Sequence, residues 1–238
     1  MQALILAGGK GTRLRPYTAI MPKPLMPIGD MPILEILIRQ LKEQGVDSII
    51  LAVGYLHHMI EAYFEDGKKF GIPITYSLEN EPLGTAGPIK LVLKDLDENF
   101  LVLNGDLLTT INFSNLFNAH LEAKAAATIA AFKRTVDIDF GVLEINEKSE
   151  LENYSEKPIF DFDVSMGINV FNKSAIEGII EDLDYIDIPD LMMELNKEKK
   201  KIFCYQEDCD WLDIGRIEDY NTAVDIFESN KKSFLPES

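Results

Sequence analysis

Short apolar runs rich in Val, Ile and Leu alternate with helix-period segments through the first half of the chain. The runs that predict strands lie at 3–6, 49–53, 72–76 and 100–103. The segments whose apolar spacing predicts helices lie at 33–41, 59–64 and 88–93. Strands that alternate with helices are typical of a βαβ arrangement. The pattern therefore predicts an α/β fold with a mostly parallel sheet.

The second half continues the pattern less regularly. Its predicted strands lie at 125–132, 141–145, 166–171 and 202–205. Its predicted helices lie at 175–180, 191–195 and 217–227. No internal repeat, low-complexity segment or Gly/Ser-rich linker marks a boundary. We therefore expect one domain over residues 1–228 and a frayed tail over 229–238.

Charge excludes some classes of partner. The 238 residues include 40 Asp and Glu against 23 Lys and Arg, which gives a formal net charge of -17. An acidic chain is a poor match for the backbone of a nucleic acid or for an anionic membrane. The cations are concentrated early, because residues 1–42 contain six basic and only two acidic residues. This distribution indicates a small polyphosphate as partner rather than a long one.

Cysteine content, the first residues and the length of the apolar runs all favour a cytoplasmic location. Cys204 and Cys209 are the two cysteines of the chain and lie close together in sequence, so a disulfide between them would stabilise little of the fold. This favours reduced thiols. The first residues lack the order of a secretory signal peptide. No apolar run approaches the roughly 20 residues of a membrane span. We therefore predict a cytoplasmic location and no membrane association.

The first loop is a candidate phosphate-binding loop. It follows the strand at 3–6 and contains three glycines, whose backbone amides can approach an anion closely. Its candidate binding residues are Leu6, Ala7, Gly8, Gly9, Gly11, Thr12 and Arg13. The spacing matches neither the dinucleotide fingerprint nor the Walker A motif. The alternative is an ordinary glycine turn with solvated cations.

The next stretch contains one lysine between two prolines. Pro22 and Pro24 restrict the backbone around Lys23, which favours a fixed rather than a freely sampling ammonium group. A cation held in this way is suited to a phosphate. The stretch therefore supports the phosphate-loop interpretation.

Together these segments resemble a known family. G-G-x-G-T-R-L-x-P-x-T followed by P-K-P-L-x-P-I resembles the N-terminal signature of the sugar-1-phosphate nucleotidyltransferases. Further segments match that family's nucleotide loop, first metal site, sugar-side glycine, sugar-phosphate motif, sugar-pocket strand and second metal site. They lie at 83–88, 104–106, 140–142, 156–158, 166–171 and 211–215. The resemblance covers about residues 1–228, in the family's order throughout, and implies a nucleotide-binding first half and a sugar-phosphate-binding second half.

The resemblance implies a fold, a reaction and partners. The fold is a Rossmann-like three-layer sandwich of the nucleotide-diphospho-sugar transferase type. The reaction joins a nucleoside triphosphate to a sugar 1-phosphate and releases pyrophosphate, with Mg²⁺ as cofactor. Both substrates are anions, so catalysis must neutralise charge and align the reacting groups. A homo-oligomer, either a dimer or a tetramer, is also implied.

The resemblance gives roles to the charged residues. Arg13 should bind the β- and γ-phosphates, and Lys23 should act on the α-phosphate. Asp106 follows the strand at 100–103, where a parallel sheet delivers side chains into its ligand crevice. With Asp213 it should hold Mg²⁺, which prefers a few carboxylates with phosphate oxygens and waters. Without the pattern, Asp106 could equally be an aspartate in a turn.

Further residues are implied for the two substrates. Those expected to bind the nucleotide are Gly84, Thr85, Gly87, Asn104 and Gly105. Those expected to bind the sugar phosphate are Gly141, Glu156, Lys157, Gly167 and Asn169. The alternatives are a solvated loop pair for the charged residues and tight turns or strand packing for the glycines.

The sequences at 81–88 and 104–109 resemble those of guanylyltransferases for mannose, heptose or amino-sugar 1-phosphates more than those of thymidylyltransferases. Thymidylyltransferases usually carry Gln near the loop glycine. Thymidylyl, uridylyl or cytidylyl transfer to glucose 1-phosphate stays open. So does a catalytically silent relative that binds sugar nucleotides, although the motif's charged residues are all present. A nicotinamide oxidoreductase is disfavoured by the spacing of the first loop.

Overall fold

The computed structural model describes residues 1–181 and 185–235. The strands are β1 (Gln2–Ala7), β2 (Pro27–Ile28), β3 (Met31–Pro32), β4 (Ser48–Val53), β5 (Ile74–Leu78), β6 (Asn99–Asn104), β7 (Leu107–Thr109), β8 (Ala127–Asp137), β9 (Gly141–Ile145), β10 (Leu151–Glu156), β11 (Ile159–Asn172), β12 (Ile202–Tyr205) and β13 (Trp211–Asp213). The helices are α1 (Ile33–Glu43), α2 (His57–Phe64), α3 (Gly87–Val92), α4 (Phe113–Ala123), α5 (Lys173–Glu181), α6 (Ile188–Lys197), α7 (Ile217–Ser229) and α8 (Lys231–Phe234). Short 3₁₀ helices lie at Thr12–Leu14, Tyr17–Ala19, Lys23–Leu25, Lys68–Phe70 and Leu93–Asp95.

A seven-stranded sheet forms the centre of the fold, in the order β12-β8-β11-β6-β1-β4-β5. Strands β6, β1, β4 and β5 are mutually parallel, and β12 is parallel to β8. Strand β11 runs antiparallel to both of its neighbours. The prediction of a mostly parallel sheet is confirmed. The carboxyl ends of the four parallel strands lie at one edge, where such sheets bind ligands.

Helices cover both faces of this sheet. In β6, Leu101 and Leu103 belong to one apolar core, whereas Phe100 and Val102 belong to the other. The first core packs against α1, α2 and α4, and the second packs against α3, α5 and α6. Burial on both faces explains why the strand sequences are continuously apolar rather than alternating. The three-layer expectation is confirmed. Among the described residues, no helix is both long and apolar enough to cross a membrane.

Strands β8 and β11 are longer than their apolar runs predict. Beyond the sheet they pair only with each other, from Ile159 opposite Asp137 to Ser165 opposite Ala131. Polar contacts support this outer part, because Asp161 accepts from Thr135 at 2.8 Å and pairs with Lys133 at 3.1 Å. The hairpin of β9 and β10 follows at the outer end and forms a separate two-stranded sheet. Phe160, Phe162 and Val164 alternate with polar residues here, but the strands were predicted from continuous apolar runs, so the extension was missed.

The C-terminal residues pack rather than fray. Helices α7 and α8 enclose a third core, in which Phe227 and Phe234 are buried with ring centroids 6.0 Å apart. Gln40 on α1 donates to the carbonyl oxygen of Phe234 at 2.9 Å. The expectation of a frayed tail from 229 is therefore wrong as far as Leu235, because Phe234 supplies an apolar anchor. Residues 236–238 of that tail lie outside the described residues.

Candidate active site

Loops at the carboxyl ends of the parallel strands meet in one crevice. After β1, the carbonyl oxygen of Gly8 accepts from the amide of Tyr55, which follows β4, at 3.3 Å. After β6, the amide of Gly105 donates to the carbonyl oxygen of Leu6 at 2.9 Å. Gly105 lies so close that a Cβ there would be 3.0 Å from the same oxygen. The first loop and the 104–106 segment are thereby fixed side by side.

Two hydrogen bonds hold the first loop in shape. Gly11 adopts a left-handed conformation with φ 57°, and its carbonyl oxygen accepts from Leu14 N at 2.9 Å and Thr18 Oγ1 at 2.7 Å. Leu14 anchors the loop in the third core, whereas Gly9, Thr12 and Arg13 are exposed. A Cβ on Gly9 would meet nothing within 4 Å. The loop is therefore rigid at its base and open at its rim, as a phosphate loop requires.

Lys23 is buried and points at two carboxylates. It begins a 3₁₀ helix between Pro22 and Pro24, and its side chain is 10% exposed. Its Nζ forms an ion pair with Asp106 and lies 4.0 Å from Oδ1 of Asp213. A buried ammonium group is stable only when paired in this way.

A short strand pair brings the two aspartates together across more than 100 residues of sequence. Strand β13 pairs antiparallel with β7, so that Asp213 lies opposite Leu107. Burial raises the pKa of Asp213, and the negative charge of Asp106 raises this pKa further, whereas Lys23 and Arg13 lower it. The two carboxylates therefore repel each other, and the repulsion is relieved by cations.

Arg13 completes the charged cluster, which we define as Arg13, Lys23, Asp106 and Asp213. Its Nη1 would lie 3.4 Å from a Cβ on Gly215, two residues after Asp213. The donor set fits Mg²⁺, which takes one or two protein carboxylates and completes its shell with phosphate oxygens and waters. No group of three or more His, Cys, Asp or Glu with metal-site geometry occurs in the described part of the chain. A cage made wholly of protein ligands is accordingly not what these residues form.

The predicted nucleotide loop is bound to the segment that precedes α6. Gly84 has φ 83°, and a Cβ there would lie 2.3 Å from the carbonyl oxygen of Ile186. Thr85 bonds to Asp187 through its amide at 2.8 Å and its hydroxyl at 3.1 Å. Gly87 N donates to Ile186 O at 3.2 Å. Close packing against Ile186 therefore requires glycine at position 84. Asp187 was not predicted as a site residue, because no motif surrounds it in the sequence.

Glu79 is a second acidic residue that the sequence analysis missed. It follows β5 and lies half-buried between the two loops, with Oε1 2.9 Å from the place of a Cβ on Gly8. Burial raises the pKa of Glu79, and a hydrogen bond from the amide of Leu83 partly offsets this. The signal that identified Asp106, an acid directly after a parallel strand, also marks Glu79.

The predicted sugar residues fall into two groups. Gly167 lies against Asn104, because a Cβ on Gly167 would be 2.5 Å from Nδ2 of that asparagine. Asn169, two residues on, is 1% exposed, and its Oδ1 has no hydrogen-bond partner. Contact of this amide with sugar hydroxyls stays a prediction.

The other group lies on the outer hairpin. Gly141 is opposite Glu156, and the ring of Tyr154 covers Gly141 while its hydroxyl donates to Glu156 at 3.2 Å. Lys157 is exposed with φ 45°. Within the described ranges, no hydrogen bond or ion pair joins Glu156 or Lys157 to the charged cluster. The structure thus brings Lys23 into contact with Asp106 and Asp213, whereas Glu156 and Lys157 make no such contact with the charged cluster in the described part of the chain.

A cleft of about 410 Å³ opens beside Asp213. Its lining combines aromatic and charged side chains, namely Phe132, Arg134, Trp211, Leu212, Asp213, Arg216 and Asp219. The rings of Phe132 and Trp211 lie 5.4 Å apart, and the indole N–H donates to the carbonyl oxygen of Met166 at 3.0 Å. Arg134 and Arg216 were not predicted, since a lone arginine on a strand or at a helix start has no motif around it.

Comparisons with known proteins agree with this geometry. The family model described as Nucleotidyl transferase matches residues 2–230. A D-glycero-α-D-manno-heptose 1-phosphate guanylyltransferase of Aneurinibacillus thermoaerophilus is 35% identical over 94% of this chain and 96% of its own. A mannose-1-phosphate guanyltransferase of Yarrowia lipolytica is 34% identical, with all of this chain and 67% of its own covered. A UTP–glucose-1-phosphate uridylyltransferase of Synechocystis is 33% identical over 94% of this chain, which spans only 62% of that relative.

A solved structure is similar along its whole length. HddC from Yersinia pseudotuberculosis has a TM-score of 0.74 and 28% identity, with 95% of this chain and 99% of that chain covered. A second structure of HddC, in complex with GMP-PN, has a TM-score of 0.72 over the same shares. Both the sequence match and the shared architecture extend across the crevice and its charged cluster. The chain belongs to the nucleotidyl transferase family.

Proposed function

We propose that this protein transfers a nucleotidyl group from a nucleoside triphosphate to a sugar 1-phosphate. A phosphate oxygen of the sugar 1-phosphate forms a bond to the α-phosphorus, the bond to the β-phosphate oxygen breaks, and pyrophosphate leaves. The observation that carries this proposal is the charged cluster at the carboxyl edge of the parallel strands. It combines two cations with two carboxylates beside a glycine loop, which is what the joining of two phosphates requires.

Each member of the charged cluster has a task in this reaction. Lys23, fixed by its prolines and ion pairs, stabilises negative charge that develops at the α-phosphate. Arg13, at the rim of the first loop, binds the departing β- and γ-phosphates through its forked donors. Asp106 and Asp213 would hold Mg²⁺, which neutralises phosphate charge when bound. The loop amides around Gly9 orient the triphosphate.

We propose guanine as the base, on the position of Glu79. Its carboxylate lies between the first loop and the 83–87 loop, where a nucleotide held by both would place its base. A carboxylate accepts two hydrogen bonds. Among the common bases only guanine presents two adjacent donors, N1–H and the N2 amino group, whereas uracil and thymine present one donor between two carbonyls. A buried acceptor left without its donor makes such discrimination steep.

We place the sugar 1-phosphate in the cleft beside Asp213. Arg134 and Arg216 supply donors for its phosphate, and the aromatic faces of Phe132 and Trp211 supply an apolar surface for the sugar ring. Mannose, heptose or hexosamine 1-phosphates are the proposed sugars, in agreement with the guanylyltransferases among the relatives. The outer hairpin, with Gly141, Glu156 and Lys157, is proposed to contact the sugar from the other side.

A turnover panel tests this function. Purified protein with Mg²⁺ is mixed with each of the common triphosphates and each of a set of hexose, heptose and hexosamine 1-phosphates, and pyrophosphate release is measured. We expect release with GTP and one of the mannose, heptose or hexosamine substrates. Turnover with UTP, dTTP or CTP and glucose 1-phosphate would instead support the alternative base and sugar. Absence of turnover with every pair, together with nucleotide binding, would identify a silent relative.

The setting of the enzyme follows from its substrates. We propose that it acts in the cytoplasm, where triphosphates and sugar phosphates are available, with no nucleic acid or membrane as partner. We also propose a homodimer or homotetramer. Light scattering coupled to size-exclusion chromatography measures the mass directly, and a monomer at micromolar concentration would contradict the oligomer.

A further inference from the structure

We propose that Asp187 is a positioning residue that sets nucleotide affinity by holding the 83–87 loop in its binding shape. The inference rests on the proposed function, because that loop is assigned to the nucleotide. Asp187 belongs to neither the charged cluster nor the sugar residues. Asp187 lies 102 residues from Thr85 in the sequence, and only the fold brings the two residues into contact.

The carboxylate of Asp187 makes a two-point contact with the loop. Its Oδ1 accepts from the amide of Thr85 at 2.8 Å and from the hydroxyl of Thr85 at 3.1 Å. Its Oδ2 accepts from the hydroxyl of Tyr185 at 3.2 Å, which fixes the rotation of the carboxylate. Hydrogen bonds to a charged acceptor are the stronger kind, so this contact is the main side-chain tie between the loop and α6.

The contact is reciprocal. Asp187 stands at the N-cap position of α6, yet its side chain makes no hydrogen bond to that helix. The hydroxyl of Thr85 accepts from the amide of Ile188 at 2.8 Å instead, so the loop caps the helix. An N-cap aspartate ordinarily satisfies its own helix. Its use on the loop here means that loop and helix start are ordered together.

Backbone bonds complete the attachment and consume the loop's donors. Ile186 O accepts from Ala86 N at 3.0 Å and Gly87 N at 3.2 Å, and Ile186 N donates to Leu83 O at 3.0 Å. Together with Thr85 N, three consecutive amides of the loop therefore donate to residues 186 and 187. None of these three amides is available to a ligand, so what the loop presents to a nucleotide is decided by how residues 186 and 187 hold it.

This attachment predicts a selective effect on one substrate. If the loop is not ordered in the free protein, part of the binding free energy is used to order it. Loosening the loop should therefore weaken nucleotide affinity. In the proposed function the sugar 1-phosphate contacts other elements. The charged cluster also lies outside the 83–87 loop, because its members belong to the first loop, the 3₁₀ helix at Lys23–Leu25, the turn after β6 and the end of β13. Loss of Asp187 should therefore raise the KM for the triphosphate and leave kcat and the KM for the sugar phosphate nearly unchanged.

The experiment compares Asp187→Ala with Asp187→Asn. We expect Asp187→Ala to raise the KM for the triphosphate about tenfold or more, since a charge-assisted contact is commonly worth that factor. Asparagine keeps an acceptor oxygen, so Asp187→Asn should restore most of the affinity. Asp190→Ala, at an exposed acid in the first turn of α6, is the matched control and should leave the KM within about twofold.

A second pair tests the same bonds from the loop. Thr85→Val keeps the shape, removes the hydroxyl that bonds to Asp187 and Ile188, and should reproduce the rise in nucleotide KM of Asp187→Ala. Thr85→Ser keeps the hydroxyl and should raise this KM less than Thr85→Val does. This pair decides the question if Asp187→Ala does not fold. Calorimetric titration with a non-hydrolysable triphosphate measures the affinity without turnover.

Two results would overturn the inference. One is a folded Asp187→Ala protein with wild-type nucleotide affinity. The other is an equal rise in both KM values, which would indicate a general structural defect. Failure of the proposed function gives a different result: wild-type protein then shows no turnover with any substrate pair. The calorimetric titration still compares the nucleotide affinity of wild type and Asp187→Ala in that case.

Discussion

The ammonium group of Lys23 lies 4.0 Å from the carboxylate of Asp213 and forms an ion pair with Asp106, although the three residues come from three separate segments. A single cation thus stands between two carboxylates that would otherwise repel. In the proposed function its partners change when a triphosphate enters, because phosphate oxygens and a metal ion would both compete within this cluster. We therefore expect the cluster to exchange partners rather than to hold the fold together.

Replacement of Lys23 by methionine should lower kcat by about 100-fold or more, because the loss of one preorganised charge at a developing anion has effects of this size. The change keeps the length of the side chain, so the packing between Pro22 and Pro24 should survive. Steady-state kinetics with the preferred substrate pair measure the effect. Lys232→Met, at an exposed lysine of α8, should retain turnover within about twofold; a Lys23→Met enzyme as active as this control would refute the role.

Asp106→Asn and Asp213→Asn should each lower turnover about 100-fold or more, since each removes one carboxylate from the proposed Mg²⁺ site. The double variant should be little worse than either single variant, because groups that act as a unit are not additive. Turnover is measured across a range of Mg²⁺ concentrations. Asp208→Asn, an exposed neighbour, should leave the rate nearly unchanged. Activity of Asp106→Ala within tenfold of wild type would rule out the assigned task.

Glu79→Gln should shift the base preference from GTP toward UTP or dTTP. An amide offers one acceptor and one donor, which match the N3–H and a carbonyl of uracil or thymine, whereas they leave one donor of guanine unpaired. We expect the ratio of kcat/KM for GTP over UTP to fall at least about tenfold. A ratio unchanged in a folded variant would place the base elsewhere.

Gly84→Ala should destabilise the protein by about 2 kcal/mol or more, whereas Gly45→Ala should cost about 1 kcal/mol. Both glycines have positive φ, 83° and 87°, so both alanines carry the same backbone strain. A Cβ on Gly84 would lie 2.3 Å from Ile186 O, but a Cβ on Gly45 would meet nothing within 4 Å. Urea denaturation measures the free energy of unfolding of both variants. An equal decrease for the two would show that the 83–87 loop shifts to accommodate the Cβ at little cost.

The stability of the protein should fall below about pH 6.5 through His120. This ring is buried and contacts Thr128 Oγ1 at 2.8 Å and Asn99 Oδ1 at 3.0 Å. Burial lowers the pKa of His120 from its ordinary 6.5. The unfolded chain therefore takes up a proton at a higher pH than the folded one does. The full contribution is present above pH 6.5, declines as the pH falls through that value, and levels off below the folded-state pKa.

The comparison that isolates this effect is His120→Gln. Its free energy of unfolding should be lower at pH 7.5, because a packed ring is lost, but should decline less between pH 7 and pH 5.5 than that of wild type. The difference in slope is limited to about 1.4 kcal/mol per pH unit. Identical slopes for both proteins would show that His120 titrates normally.

The parallel half of the sheet was predictable, because strands buried on both faces are continuously apolar and end at small residues. The charged cluster was predictable only through the family resemblance. Lys23 has a local signal in its flanking prolines, but Asp106 by itself could equally be an aspartate in a turn. The outer part of β11 was missed although Phe160, Phe162 and Val164 alternate with polar residues, because the strands were predicted from continuous apolar runs. Asp187 was not predictable, because its partner Thr85 is 102 residues away. Asn169 was expected to offer its amide to sugar hydroxyls, and only the fold shows that its side chain is buried.

The hairpin of β9 and β10 shares no strand pairing with the seven-stranded sheet. Insertions, deletions and substitutions in it therefore leave the register of every sheet strand unaltered and expose no buried core. In the proposed function this hairpin contacts the sugar from one side, so we expect that part of sugar recognition to tolerate changes that the crevice does not. Hairpins exchanged between relatives should accordingly leave the fold and the charged cluster in place.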